Sequence, residues 1–545
     1  MSKPVMVLVA LYRYRNFPIR IMHPVLKGID GIEVHTIFFK DCETNDFVDP
    51  TNRELELFAQ LITKLNPQLV GFSVLSPYVP IARRLTKLVK EHSSALVIWG
   101  GIHPTIAPDS CMEEADLVCV GEGEGAFTEL ATHLRDGTSY EEVQNLWVRK
   151  GDQIIKNPMR PLIQDLDSLP FASYGDPSFH FVDADKITNE DPSFFDKVFW
   201  LQASRGCPYV CSFCVNAILQ PLFKGLGAYT RRRSPKNIVQ ELKENLNLPG
   251  SPTRSVLFID EVFGCAEAWL DEFSQLYKQE IGLPFFAEYN PEVINPKMLE
   301  KLAVAGLDTI NFGIQTGDDF IRNKIFDRPG KNSDIINIVK AISKHRVKIR
   351  YDLIIDNPYE NADTLEKTIE MLVQLPKPLM FNLYSMQYFP KYPFTERALK
   401  DQYVLPKEVN VETLFDRTTN NWAFVPRLRP WTRKQRLQNI IWMIVWNHVK
   451  DDLVSFAVFG KSWRSKVCFY YLSFISIPMG KIVGVGGMVM RHRWMDYALN
   501  GIKYLLRGEL KPLCGKIGKV IVNTFNEKKK RFILPGQVLS FDRTS

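Results

Sequence analysis

Eleven short apolar runs, alternating with stretches whose apolar residues recur at helical spacing, constrain this chain more than any other feature. Strand–helix alternation of that kind builds parallel sheets with helices packed on their faces. Five runs come early: Val5–Leu11, Ile32–Phe39, Gln68–Ser73, Ala95–Trp99 and Asp116–Gly121, with helical patterns such as Asn52–Leu65 and Val79–His92 between them. They predict an α/β domain over residues 1–145, a doubly wound sheet of Rossmann or flavodoxin type with about five strands. Six more runs, Val198–Gln202, Ser255–Asp260, Phe285–Tyr289, Thr309–Ile314, Val347–Ile355 and Leu379–Tyr388, predict six β/α units over residues 197–400. Six units fall short of the eight that close a barrel, so a partial (β/α)6 barrel with a side opening is expected. Residues 146–196 read as a linker, broken by Pro158, Pro161, Pro170, Pro177 and Pro192 and poor in periodicity. Residues 401–545 read as a mainly helical, basic C-terminal domain.

With 545 residues and 45% hydrophobic side chains, the chain has ample material for two to four domains. The net charge of +7 is concentrated at the end: residues 431–545 hold 20 Lys/Arg against 6 Asp/Glu, so the preceding part is net acidic. That argues against nucleic acid as a partner of the catalytic part. It leaves peripheral membrane contact open for the basic C-terminal region, helped by Lys528–Arg531. The apolar run Val467–Ile477 is well short of the ~20 residues a membrane helix needs. Val5–Tyr12 is followed by Arg13, Arg15 and Arg20 and reads as a first buried strand rather than a signal peptide.

Nine cysteines show no disulfide framework, so a cytoplasmic, reducing setting is expected, with membrane association left open. Only Cys207, Cys211 and Cys214 are clustered, in a loop that follows the run Val198–Gln202. Three thiolates at this spacing can hold three corners of a metal centre. Either another residue closes a structural zinc site, or one iron of a four-iron cluster stays open to a ligand.

In open α/β sheets ligands bind beyond the carboxyl ends of the strands. In the first block those ends read Ser73-Val74-Leu75-Ser76, Gly100-Gly101-Ile102-His103 and Gly121-Glu122-Gly123-Glu124, and paired glycines let a large flat ligand approach the backbone. In the second block they carry Asp260-Glu261-Val262-Phe263, Gly313-Ile314-Gln315-Thr316-Gly317, Arg350 with Asp352, and Asp356-Asn357-Pro358-Tyr359-Glu360. Tyr229-Thr230-Arg231-Arg232-Arg233 precedes Ser234-Pro235, a good N-cap and first helical residue.

Over roughly the first 400 residues these motifs resemble the radical S-adenosylmethionine (radical SAM) enzymes that carry a cobalamin (B12)-binding domain. The resemblance implies a [4Fe-4S] cluster on Cys207, Cys211 and Cys214. It implies S-adenosylmethionine beside Phe213, Asp260, Glu261, Gln315, Arg350 and Arg233, and cobalamin beside Ser73, Leu75, Ser76, Gly100, Gly101, His103, Gly121 and Glu122. Gln315 stands where relatives have Glu, which keeps an acceptor and removes a charge. Ala10–Arg15 replaces the Asp-x-His-x-x-Gly of many relatives, so no lower cobalt ligand is assigned, and His103 reads as a hydrogen-bonding residue. The expected activity is cobalamin-dependent radical methylation of an unactivated carbon, with a 5′-deoxyadenosyl radical taking the hydrogen. A radical cyclase or rearrangement enzyme with the same cofactors, and a metal-binding protein without turnover, remain as alternatives. Expected partners are a small-molecule, lipid or peptide substrate and an electron donor such as flavodoxin or ferredoxin.

Overall fold

All eleven apolar runs form strands in the computed structural model, which describes residues 3–41, 48–248, 250–264, 266–412, 414, 430–445 and 450–473. The first five are β1 (Val5–Leu11), β2 (Glu33–Phe39), β3 (Leu69–Ser73), β4 (Leu96–Gly100) and β5 (Leu117–Cys119). They pair in parallel in the order β2-β1-β3-β4-β5, which reverses direction between β1 and β3 as a doubly wound sheet does. Helices cover both faces, so β1 has no polar side: Val7, Val9 and Leu11 enter one core, and Met6, Leu8 and Ala10 the other.

The 146–196 segment does more than connect. β6 (Leu146–Lys150) and β7 (Gln153–Lys156) extend the sheet antiparallel beyond β5, while β8 (Phe179–Asp183) and β9 (Lys186–Thr188) extend it beyond β2, giving nine strands. Strands of three to five residues at sheet edges carry little alternation, and prolines nearby mask what there is. One buried ion pair ties this segment to the helix Phe17–Lys27. Arg20 donates to both carboxylate oxygens of Asp191 at 2.9 and 2.7 Å and to the carbonyls of Tyr14 and Ser173, with neither charged side chain accessible. Asp191→Ala would leave that guanidinium buried and unpaired, so a loss of about 3–5 kcal/mol is expected. Thermal unfolding of the variant checks it: a melting temperature within a degree of the parent contradicts the assignment.

The second sheet is parallel throughout. Its strands β10 (Val198–Leu201), β13 (Ser255–Phe258), β14 (Phe285–Tyr289), β15 (Leu307–Gln315), β16 (Lys348–Ile355) and β17 (Met380–Ser385) follow one another in chain order. Between the first two, β11 (Ser204–Arg205) and β12 (Arg231–Arg232) form a small antiparallel ribbon. Along β13, β14 and β15 buried and half-buried side chains alternate, as they do when helices cover one face and the other opens on a cavity.

Met1–Phe424 forms one compact unit and Val425–Ser545 a second. In the second, helices Arg433–Val445 and Asp451–Phe459 precede a helical run at 463–473. Asn439 donates to the Ser473 carbonyl at 2.9 Å, and Arg436 lies over the Tyr470 ring at 4.4 Å. The helix expected at Trp431–Val449 is present over Arg433–Val445, and Lys528–Arg531 lie outside the described residues. Among the described residues no helix is long and apolar enough to cross a membrane.

Candidate functional site

The cysteine loop is held by backbone geometry set up just before it. Ala203 N–H donates to Asp260 at 3.1 Å, and the Ser204 hydroxyl donates to the other Asp260 oxygen. Ser204 and Arg205 then pair with Arg232 and Arg231, and Gly206 follows at φ +83°, where an added Cβ would collide with the Tyr229 carbonyl. Farther along, Ser212 donates from its N–H to the Phe326 carbonyl at 2.9 Å and from its hydroxyl to the Ile325 carbonyl at 2.6 Å. Phe213 packs edge-on against Phe326 with ring centroids 4.9 Å apart. Cys207 and Cys211 are 8% and 4% exposed, and Cys214 is half-buried.

These thiols are made ready for a cationic centre. Burial pushes the Cys207 thiol up to about 11 and raises that of Cys214, a penalty that a bound metal's charge reverses. Asn216 Nδ2 donates to the Cys214 sulfur at 3.5 Å, and Arg328 Nη1 to the Cys211 sulfur at 3.6 Å, so donors to thiolate sulfur are in place. Among the described residues no three His, Cys, Asp or Glu side chains converge as closely as a single ion requires. A cubane takes its cysteines at separate corners, and three thiols in one loop can supply three of them.

The structure gives two of the expected S-adenosylmethionine contacts protein partners of their own. Asp260 is 0% exposed and engaged with Ala203 and Ser204, which fastens the loop to β13. Arg233 is pinned by Glu241 at 2.5 Å, Asn237 and the Gln202 carbonyl. Burial pushes the Asp260 carboxyl up to about 6 from its ordinary value of 3.8. An acid whose pKa rises on folding binds more protons in the native state, so its contribution to stability falls as pH rises between those two values. Asp260→Asn keeps an acceptor for Ala203 and should gain melting temperature relative to the parent as pH goes from about 4 to 6. Parallel curves for the two proteins across that range would contradict the shift.

Past these residues the cavity face of the second sheet is rich in acceptors. Glu261 follows Asp260, Glu288 stands on β14, Asn311 and Gln315 on β15, Arg350 and Asp352 on β16, and Asn382 and Tyr384 on β17. Desolvation raises the carboxyls of Glu261 and Glu288 to about 7, and neighbouring acids add to the effect. Asp352 accepts from Asn311 at 2.9 Å and Asn382 at 2.8 Å. Asn311 Oδ1 and Gln315 Oε1 are buried without a hydrogen-bond partner, and Gln315 is held at φ +61°, a left-handed backbone that costs a non-glycine residue energy. Three carboxylates and two unpaired acceptors near Arg350 fit a ligand that is cationic and carries hydroxyl and ammonium donors. Sequence reading missed Glu288 and Arg328. A charge inside the otherwise apolar alternation of β14 was a signal for the first, whereas Arg328 lies in a loop whose approach to Cys211 no local pattern encodes.

At the carboxyl edge of the first sheet, Gly101 is at φ +102°, where a Cβ would stand 3.2 Å from both the N and the O of Val74. His103 is buried and shares a hydrogen bond with Ser76 at 3.0 Å, and burial lowers its pKa to about 4, in keeping with a hydrogen-bonding role. Ser73 accepts from Asn16 at 3.1 Å, Leu75 is half-buried, and Gly100 lies below them in β4. Gly121 takes φ +91° and donates from its N–H to the Thr105 hydroxyl at 3.0 Å. Tyr12, where relatives carry the cobalt-binding histidine motif, is turned into the core and stacks on Tyr78 at 5.4 Å.

Glu122 joins the two sheets: its carboxylate accepts from Arg205, from Arg231 and from the Ile163 N–H. A second bridge runs from Lys391 Nζ, after β17, to the Ile106 carbonyl, after β4, at 2.9 Å. The carboxyl edges of the two parallel sheets therefore face each other.

Residues 201–372 match the family model of the Radical SAM superfamily, and residues 4–131 that of the B12 binding domain. An uncharacterized methyltransferase of Pyrococcus horikoshii is 26% identical over 58% of this chain and 66% of its own length. The anaerobic magnesium-protoporphyrin IX monomethyl ester cyclase of Cereibacter sphaeroides is 24% identical over 75% of this chain and 63% of its own length. The chain thus spans slightly less than two thirds of these curated relatives. The structure of the cobalamin-dependent S-adenosylmethionine radical enzyme OxsB with aqua-cobalamin and S-adenosylmethionine bound aligns with a TM-score of 0.60 at 16% identity, covering 95% of this chain and 81% of that one. At that identity the likeness is one of fold.

Proposed function

Because this chain belongs to the radical SAM enzymes that carry a B12-binding domain, we propose that it is a cobalamin-dependent methyltransferase acting on an unactivated carbon of a small molecule. The observation that carries the reading is the opposition of two ligand-binding edges. The Gly100-Gly101 edge of one parallel sheet faces the cysteine loop of the other, joined through Glu122–Arg205 and Ile106–Lys391. When bound, the cluster with S-adenosylmethionine supplies a hydrogen-abstracting radical and cobalamin a methyl group.

The chain's own residues do the rest. Cys207, Cys211 and Cys214 would hold the cluster and leave one site open to S-adenosylmethionine. Glu261, Glu288 and the free acceptors of Gln315 and Asn311 would receive the amino and ribose donors, and a sulfonium close to the two carboxyls would favour their ionised form. Phe213 with Phe326 walls the loop against water and oxygen. Gly101 lets the corrin approach the main chain, and the opening of the six-stranded sheet faces the substrate. A one-electron donor such as flavodoxin or ferredoxin completes the system. A lipid would suit the basic C-terminal region, a peptide only the acceptor-rich cavity.

One observation favours a second reading: the cyclase relative covers more of this chain than the methyltransferase does. Product analysis separates them. Turnover with methyl-deuterated S-adenosylmethionine should give S-adenosylhomocysteine and a product heavier by one labelled methyl. Formation of 5′-deoxyadenosine without S-adenosylhomocysteine overturns methyl transfer and supports cyclisation or rearrangement.

A further inference from the structure

The ion cluster between the sheets begins one residue after Gly121 and ends two residues before Cys207. Arg205 forks its guanidinium onto two carboxylates, from Nη1 to Glu122 at 2.9 Å and from Nη2 to Glu124 at 2.5 Å. Arg231, its partner across the β11–β12 ribbon, donates to both oxygens of Glu122 at 2.9 and 3.0 Å and to the Ile163 carbonyl at 2.9 Å. Ile163 N–H returns a bond to Glu122 at 2.8 Å. Two acids balance two bases, and all four side chains are less than a fifth accessible. A forked, mostly desolvated array of this kind fixes geometry more strongly than an exposed pair would.

There is little slack on either side. A Cβ on Gly121 would stand 3.1 Å from Asn145 and 3.2 Å from Phe223, and the Gly121 N–H is tied to Thr105 in the turn after β4. On the other side, there is no room for a side chain at Gly206, whose added Cβ would collide with the Tyr229 carbonyl. A shift at the β4–β5 turns therefore passes through one carboxylate and one guanidinium to the backbone that carries Cys207.

We propose that Glu122 and Glu124 are positioning residues that act through Arg205, coupling occupation of the β4–β5 turns by cobalamin to the placement of the Cys207 corner of the cluster. The inference rests on the two-cofactor reading above. Coupling between two sites is reciprocal, so it appears as a cobalamin affinity that depends on whether the cluster is present.

The test titrates the full chain with hydroxocobalamin, with and without a reconstituted cluster, and follows binding by ultrafiltration and absorption. In the parent, the two dissociation constants should differ by about fivefold or more. In Glu122→Gln/Glu124→Gln both cofactors should still bind, and the ratio should fall to about one. Arg205→Lys keeps the charge but cannot fork, and should collapse the ratio in the same way; it decides the matter should the double variant not fold. Equal affinities in the parent, or an undiminished ratio in Arg205→Lys, overturns the proposal. Loss of cobalamin from the double variant with the cluster retained would make Glu122 a direct ligand and overturn it too. A parent that takes up no cluster or no cobalamin overturns the two-cofactor reading itself, and the coupling with it.

Discussion

Replacing Cys207, Cys211 or Cys214 singly by Ala is expected to give a protein that, after anaerobic reconstitution, holds almost no iron or sulfide and shows none of the brown cluster absorption. Three thiolates are the fewest that leave a single iron free, and two cannot hold a cubane against solvent and reductant. The fold should survive, because each cysteine lies in the loop after β10 and outside every strand and helix. Cobalamin uptake by the first sheet should therefore persist, at the affinity of the cluster-free parent. An alanine variant that retains parental iron would exclude that cysteine as a ligand.

Gly206→Ala is expected to be nearly as damaging, though it removes no ligand. The residue sits at φ +83°, which costs an L-residue roughly 1–2 kcal/mol. Worse, its new Cβ would lie 2.2 Å from the Tyr229 carbonyl oxygen, a contact no rotamer can relieve. The β11–β12 ribbon must open or the loop must move, and Cys207 is the next residue. Iron loading should fall severalfold, with an altered electron paramagnetic resonance signal from whatever cluster forms. Parental loading with an unchanged signal would show that the loop tolerates the shift.

The pattern of legibility follows chain distance. The apolar run Val5–Leu11 coincides with its strand because burial on both faces leaves a local, unbroken apolar signature, and Phe285–Tyr289 does so because four of its five residues are apolar or aromatic. Ser234 caps its helix through a hydrogen bond to Asn237, three residues away, and the sequence sufficed to place it. β6 to β9 escaped notice because their order comes from neighbours in the sheet rather than from their own composition. Asp260 and Glu122 were read after strands and Arg233 just before a helix, but their protein partners were not legible, since a charged side chain in such a turn can face a ligand or a neighbouring chain segment with the same local sequence.

By itself, then, the sequence determined the two sets of parallel strands, the three thiols and the turns at the strand ends, all of which depend on residues a few positions apart. Only the tertiary structure decided which polar groups meet: Asp260 with Ser204 across 56 positions, and Glu122 with Arg205 across 83. The physical reason is that a buried hydrogen bond or ion pair is chosen by distance and desolvation in space. Both are fixed only after the two sheets have formed and their carboxyl edges have come to face each other.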